Sequence, residues 1–217
     1  MKEDLTEIVF ILDKSGSMEP LTNDTIGGYN AYIKSQQEGQ GEAYLTTVLF
    51  SDEHYYLHDH VNIRDVQPIT HAEYFVGGCT ALLDTIGDTI NRVGYRLSNT
   101  PEEERPAHVI FVITTDGYEN ASSEYTRDQI KQMIQHQQEK YSWEFLFLGT
   151  GIDAYQEAAS FGLGGAHAMS VAKDSVGTKS IYEAVTYASN ALRVSGGYVT
   201  LDSLGDSWKV GDVGAGK

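Results

Sequence analysis

Ile8-Val9-Phe10-Ile11-Leu12-Asp13-Lys14-Ser15-Gly16-Ser17-Met18 is the stretch that decides how this chain folds. Five aliphatic or aromatic residues in succession leave no polar face, the pattern of a strand covered on both sides in a parallel sheet. The run ends in a carboxylate, Asp13, followed at alternate positions by the hydroxyls of Ser15 and Ser17. In open α/β sheets ligands bind beyond the carboxyl ends of the strands. A donor set made only of hard oxygens suits Mg²⁺, Mn²⁺ or Ca²⁺ and disfavours zinc.

Two further stretches supply complementary groups. Val109-Ile110-Phe111-Val112-Ile113-Thr114-Thr115-Asp116-Gly117 reads as a second buried strand with Asp116 at its carboxyl tip. Gly77-Gly78-Cys79-Thr80-Ala81-Leu82 is a glycine-rich turn that opens a helix and carries the hydroxyl of Thr80. In these three segments the chain resembles the von Willebrand factor A family, whose metal-ion-dependent adhesion site is written Asp-x-Ser-x-Ser, then a distant Thr, then a distant Asp. The resemblance implies that Asp13, Ser15, Ser17, Thr80 and Asp116 hold a divalent cation, Mg²⁺ or else Mn²⁺ or Ca²⁺. It also implies an open coordination position that an acidic side chain of another protein fills. Lys14, Gly78, Gly117, Tyr118 and Glu119 then form the rim that meets the partner, with Lys14 pointing to solvent. Taken singly, each piece has a plainer reading: Asp and Ser cap helices, a Thr after glycines is an N-cap, and Asp-Gly is a turn.

Strand and helix patterns alternate along the rest of the chain, which predicts a doubly wound, mostly parallel sheet with helices on both faces. Residues 21–37 carry Ile26, Tyr29 and Ile33 at helical spacing, with Gly27-Gly28 placed for close packing on the sheet. Residues 44–50 and 54–60 flank the tight turn Ser51-Asp52-Glu53 and read as a hairpin that adds one antiparallel edge strand. Leu83, Ile86, Ile90, Val93 and Leu97 form the clearest amphipathic stripe. Helices are expected over 126–138, 154–161 and 175–195, and strands over 143–148 and 167–171. This layout, over residues 4–195, matches the von Willebrand A arrangement and sets a single domain at 1–195. A Gly-, Asp- and Ser-rich extension over 196–217 follows.

Bulk properties narrow the function classes. The 217 residues carry a net charge of −16, which repels phosphate backbones and anionic lipid heads and argues against nucleic acid or a membrane surface as partner. One cysteine, Cys79, excludes an internal disulfide and reads as a small residue buried under the glycine turn. No apolar run reaches the roughly twenty residues that span a bilayer, and the first strand begins too early for a signal peptide. The expectation is a soluble, cytoplasmic protein, similar to stand-alone bacterial von Willebrand A proteins such as those of tellurite-resistance systems, which work as adaptors.

Catalytic signatures are weak. A Mg²⁺-dependent phosphatase of the haloacid-dehalogenase type needs Asp-x-Asp, and Ser15 stands at the second position. No paired acid and base or nucleophile elbow stands out, so the chain reads as a non-enzyme. The alternatives are an assembly module in which the metal only stabilises the fold, a Mg²⁺-dependent hydrolase, and an RNA binder. His54, His58 and His60 lack a fourth metal ligand. The stretch from Gly211 to Lys217 imitates half a phosphate loop but lacks its strand and helix. Tyr29, Tyr118 and Tyr125 are candidates to crowd the metal face.

Overall fold

A computed structural model describes residues 1–195 and Leu201. Six strands form one sheet: β1 (Lys2–Asp13), β2 (Glu42–Phe50), β3 (His54–Asn62), β4 (Pro106–Thr115), β5 (Glu144–Thr150) and β6 (Ala168–Val171). Their order across the sheet is β3-β2-β1-β4-β5-β6, and β3 alone pairs antiparallel. Five α-helices connect them: α1 (Thr22–Glu38), α2 (Leu82–Ser98), α3 (Arg127–Tyr141), α4 (Ala154–Ser160) and α5 (Ser175–Ser195). The helix and strand patterns of the sequence fall on these elements; β1 starts six residues before the apolar run Ile8–Leu12, the other limits shift by up to three residues, and those of α5 are unchanged.

The period of two along β1 divides its side chains between two cores. Ile8, Phe10 and Leu12 face Tyr29, Tyr32 and Ile33 of α1 and Ile181, Tyr182 and Val185 of α5. Val9 and Ile11 face Ile86, Ile90 and Val93 of α2, Ile130 and Ile134 of α3, and Ala154 and Ala158 of α4. The residues from Ile8 to Leu12 are fully buried, and each contributes about 1.5–3 kcal/mol relative to exposure. Covering both faces is why the run is apolar without interruption. Glu7, which precedes this run, is fully buried; Arg96 pairs with it at 2.5 Å, and His60 Nδ1 lies 2.8 Å away.

Strand order reverses between β1 and β4. The chain leaves β1 for β2 on one side and returns to β4 on the other, so the two carboxyl ends diverge and open a crevice. Leu12 pairs with Thr114, which sets Asp13 beside Thr115 at the mouth of that crevice. Of the extension over 196–217, only Leu201 is described. It packs in the core beneath α1 and α5, and the phosphate-loop imitation lies outside the described residues.

Gly28 is needed where α1 crosses α5. A Cβ built there would lie 2.1 Å from Tyr182 Cδ2, whereas one at Gly27 meets nothing within 4 Å. Gly28→Ala should therefore cost about 1–3 kcal/mol through forced repacking. Gly27→Ala should gain about 0.5–1 kcal/mol from the helix backbone alone. Urea unfolding midpoints of the two variants measure the opposed signs.

Candidate metal centre

The crevice is built by three loops tied to one another through the backbone. Lys14 N donates to Phe50 O at 2.8 Å, Gly77 N to Lys14 O at 2.8 Å, and Gly16 N to Gly78 O at 3.0 Å. Gly78 has φ +83°, and a Cβ there would lie 2.0 Å from Asp52 Oδ2, so glycine is required for the loop to pass. Asp52 Oδ1 in turn accepts from Cys79 N at 3.0 Å. Thr80 is clamped to the loop after β4: its N–H donates to Asn120 Oδ1 at 2.9 Å, and Asn120 N donates to Thr80 O at 3.1 Å. Glu119 fixes the start of α2 by accepting from Leu83 N at 2.9 Å and from Ser122 N at 2.7 Å.

These ties bring the sequence-predicted ligands together. Asp13, fully buried, accepts from Ser15 N at 2.6 Å through Oδ1 and from Thr115 Oγ1 at 2.5 Å through Oδ2. Its carbonyl accepts the hydroxyl of the buried Tyr74 at 2.6 Å. Ser15 Oγ and Ser17 Oγ lie 3.1 Å apart, and Ser17 Oγ donates to Asp116 Oδ1. Thr80 Oγ1 and Ser17 Oγ stand 3.2 and 3.7 Å from the point where a Cβ of Gly117 would sit. Any side chain at 117 would therefore crowd the Thr80 hydroxyl and touch that of Ser17. Three hydroxyls and two carboxylates from three segments converge at the carboxyl ends of β1 and β4.

The electrostatics of this cluster favour a cation. Burial raises the Asp13 carboxyl to about 6, against the lowering by hydrogen bonds from Thr115 and Ser15, and the neighbouring Asp116 adds to the rise. Asp116 Oδ2 is buried, and its close neighbour is the Lys173 ammonium at 2.7 Å. A buried carboxylate oxygen without a hydrogen bond is costly unless a cation compensates it. Among the described residues no three His, Cys, Asp or Glu side chains group as metal ligands, so hydroxyls have to supply most of the donors here. The residues present fit a hard divalent ion, which binds oxygen ligands of this kind.

Several expectations require correction. Lys14 does not point to solvent: it is 8% exposed, with Nζ 3.2 Å from Ser51 Oγ and 4.7 Å from the centre of the Phe75 ring. Its short loop lies between two tied segments, and the ammonium sits over the aromatic ring. Cys79 is exposed rather than buried. Tyr29 bonds Thr47 in the core and Tyr125 bonds Asp88 beside α2, so neither reaches the site. Tyr118, two residues after Asp116, is exposed, with its hydroxyl accepting from Asp153 N at 3.2 Å. The three histidines diverge: His54 faces Asp88, His58 faces Thr47 and His60 faces Glu7. Lys173, Tyr74 and Thr115 are participants that sequence reasoning missed. Only Thr115, adjacent to Asp116 and in register with Asp13, left a signal that strand pairing makes usable.

Sheet order, the antiparallel edge strand and the two helical layers define a von Willebrand A-like fold. No protein-family model matches the sequence, and no curated protein matches it. Solved structures do match in fold. Proximal thread matrix protein 1 from the mussel byssus, in a form described as having a zinc-occupied MIDAS motif, is 18% identical with a TM-score of 0.55, over 85% of this chain and 46% of that one. A von Willebrand factor type A protein from Catenulispora acidiphila is 16% identical with a TM-score of 0.56, over 86% and 42%. A mutant of the PilB minor pilin from Streptococcus sanguinis is 15% identical with a TM-score of 0.57, over 89% and 63%. This chain thus spans between 42% and 63% of the length of these neighbours.

The Asp13 shift has a consequence for pH. The folded carboxyl titrates at about 6 against an unperturbed 3.8, so the metal-free fold binds the extra proton within that window and loses stability as pH rises through it. Cation binding requires the carboxylate and runs the other way. Metal affinity should be level above about pH 7 and fall by up to about tenfold per unit below about pH 6, as read by calorimetry at pH 5, 6 and 7.5. A pH-independent affinity would contradict this assignment.

Proposed function

We propose that the chain is a metal-dependent protein-binding module. Asp13, Ser15, Ser17, Thr80 and Asp116 hold Mg²⁺, or Mn²⁺ or Ca²⁺, and a partner protein presents an acidic side chain to the ion. The observation that carries this reading is the convergence of three hydroxyls on two buried carboxylates at the switch point of the sheet. Only two of the five groups are anionic, so a bound divalent cation keeps part of its charge and attracts a further carboxylate. The ion supplies Lewis acidity toward that carboxylate. This chain's residues position it: Thr115 and Ser15 orient Asp13, and Asn120 orients Thr80.

The zinc-occupied motif of the mussel protein supports a divalent ion on a similar fold. The all-oxygen donor set here favours the harder ions. Recognition is preferred over catalysis because a hydroxyl-rich donor set leaves a held cation charge to offer an incoming carboxylate. Exposed Phe75 and Tyr118, at 59% and 49% exposure, give the rim apolar surface on which a partner can seat. Among the described residues no helix is long and apolar enough to cross a membrane.

Calorimetric titration of Mg²⁺ and Mn²⁺ into chelator-treated protein tests the reading, beside Asp13→Ala checked for folding by circular dichroism. The parent should bind one ion and the variant should lose at least about tenfold in affinity. Acetate added to the Mn²⁺-loaded parent should then lower the water-proton relaxation enhancement as a carboxylate replaces bound water. Equal ion binding in parent and variant, or indifference to acetate, would contradict the proposal.

A further inference from the structure

Lys173, in the turn between β6 and α5, has no part in the function proposed above, yet it reaches the centre. Its ammonium lies 2.7 Å from Asp116 Oδ2, and its side chain is 36% exposed while that of Asp116 is fully covered. The backbone is shaped for this approach. Gly151 N donates to Val171 O at 2.8 Å, holding the end of β6 against the loop after β5. Gly151 has φ +72°, and a Cβ there would stand 2.9 Å from Lys173 Cβ and 3.4 Å from its Cδ. Glycine at 151 thus leaves the trough in which the lysine stem lies. On the other flank Asp174 fixes the start of α5, accepting from Gly177 N at 2.8 Å through Oδ1 and from Thr178 N at 2.9 Å through its carbonyl. Gly177 in turn comes so close to Ala172 O that a Cβ would lie 2.2 Å from it. A lysine on an open surface keeps its ammonium in water and its stem mobile. This one is led by tight turns on both sides to the buried Oδ2 of Asp116.

We propose that Lys173 is a tethered cation that competes with the divalent ion for Asp116 and so sets the affinity of the centre. The proposal rests on the metal-binding reading above. One carboxylate carries one negative charge, and an ammonium held against Oδ2 already compensates it. A divalent ion held by Ser15, Ser17, Thr80, Asp13 and Asp116 would share that carboxylate with the ammonium, and like charges so close are little screened by salt. Loading therefore either displaces the ammonium or proceeds at reduced affinity. Reciprocity follows: an acidic partner side chain that offers Lys173 a new counter-ion raises the affinity for the ion, and the ion raises the affinity for the partner. With Lys173 in place, the metal-free protein keeps Asp116 compensated and its fold intact.

The test is titration of Mn²⁺ alone into the chelator-treated full chain, followed by calorimetry and by the electron paramagnetic resonance signal of free Mn²⁺. Parent, Lys173→Met and Lys173→Arg are compared. Methionine keeps an unbranched stem against Gly151 and removes the charge; arginine keeps the charge. The Met variant should bind Mn²⁺ at least about tenfold tighter than the parent, with the Arg variant close to the parent. Its metal-free melting temperature should be lower than the parent's, and saturating Mn²⁺ should close that gap. Lys173→Gln replaces the Met variant should the latter fail to fold. Equal or weaker binding by the charge-free variant overturns the tethered cation while leaving the metal centre standing. Absence of binding in parent and variants alike overturns both.

Discussion

The carboxylate of Asp13 is the group on which the rest of this molecule is arranged. It is fully buried at the tip of β1, and it joins that strand to β4 through Thr115 and turns the following loop through Ser15. Removing a carboxylate from water is costly, and here the cost shows as a raised pKa despite two hydrogen bonds. A buried acid of that kind is tolerated when cations compensate it or function requires it. The two apolar cores on either side of β1 supply the stability that permits it. The crevice at the strand-order switch gives the group a place to face.

Charge organises the site at two ranges. Overall the chain carries −16, a field that draws cations toward it and slows the approach of acidic partners. Locally, Asp13 and Asp116 concentrate negative charge where three hydroxyls can share a ligand, and Lys173 offsets part of it from the side. Under the proposed function, an acidic protein that is to bind acidic side chains needs a positive focus. A divalent ion held by mostly neutral oxygens provides one, because its charge is incompletely cancelled. The nearby Lys14, by contrast, spends its charge against Ser51 and the Phe75 ring and is turned inward.

The fold was largely legible in the sequence because both central strands are apolar on both faces, a pattern that few other environments allow. The amphipathic stripe from Leu83 to Leu97 and the alternation around it placed the helices. The set Asp13, Ser15, Ser17, Thr80 and Asp116 was read from the resemblance to the von Willebrand A motif, and the fold gives a reason for its convergence: in a doubly wound sheet, groups at the carboxyl ends of the strands cluster whatever their distance along the chain. What escaped reading depends on side-chain direction and on contacts between distant turns. Lys14 sits inside the motif, yet loop ties to Phe50 and Gly77 fix its direction. Cys79 looks like a small core residue, yet the φ of Gly78 swings it outward. Lys173 reaches Asp116 only because β6 lies beside β5 and Gly151 clears a path. Nothing local to residue 173 announces that.

Anomalous diffraction from crystals of the full chain soaked in Mn²⁺ tests the central claim most directly. The account predicts one strong peak in the crevice between β1 and β4, within direct-coordination distance of the Ser15 and Ser17 hydroxyls and bounded by Thr80, Asp13 and Asp116. A crevice without anomalous density at saturating Mn²⁺, in crystals where β1, β4 and their loops keep the arrangement described above, would contradict it.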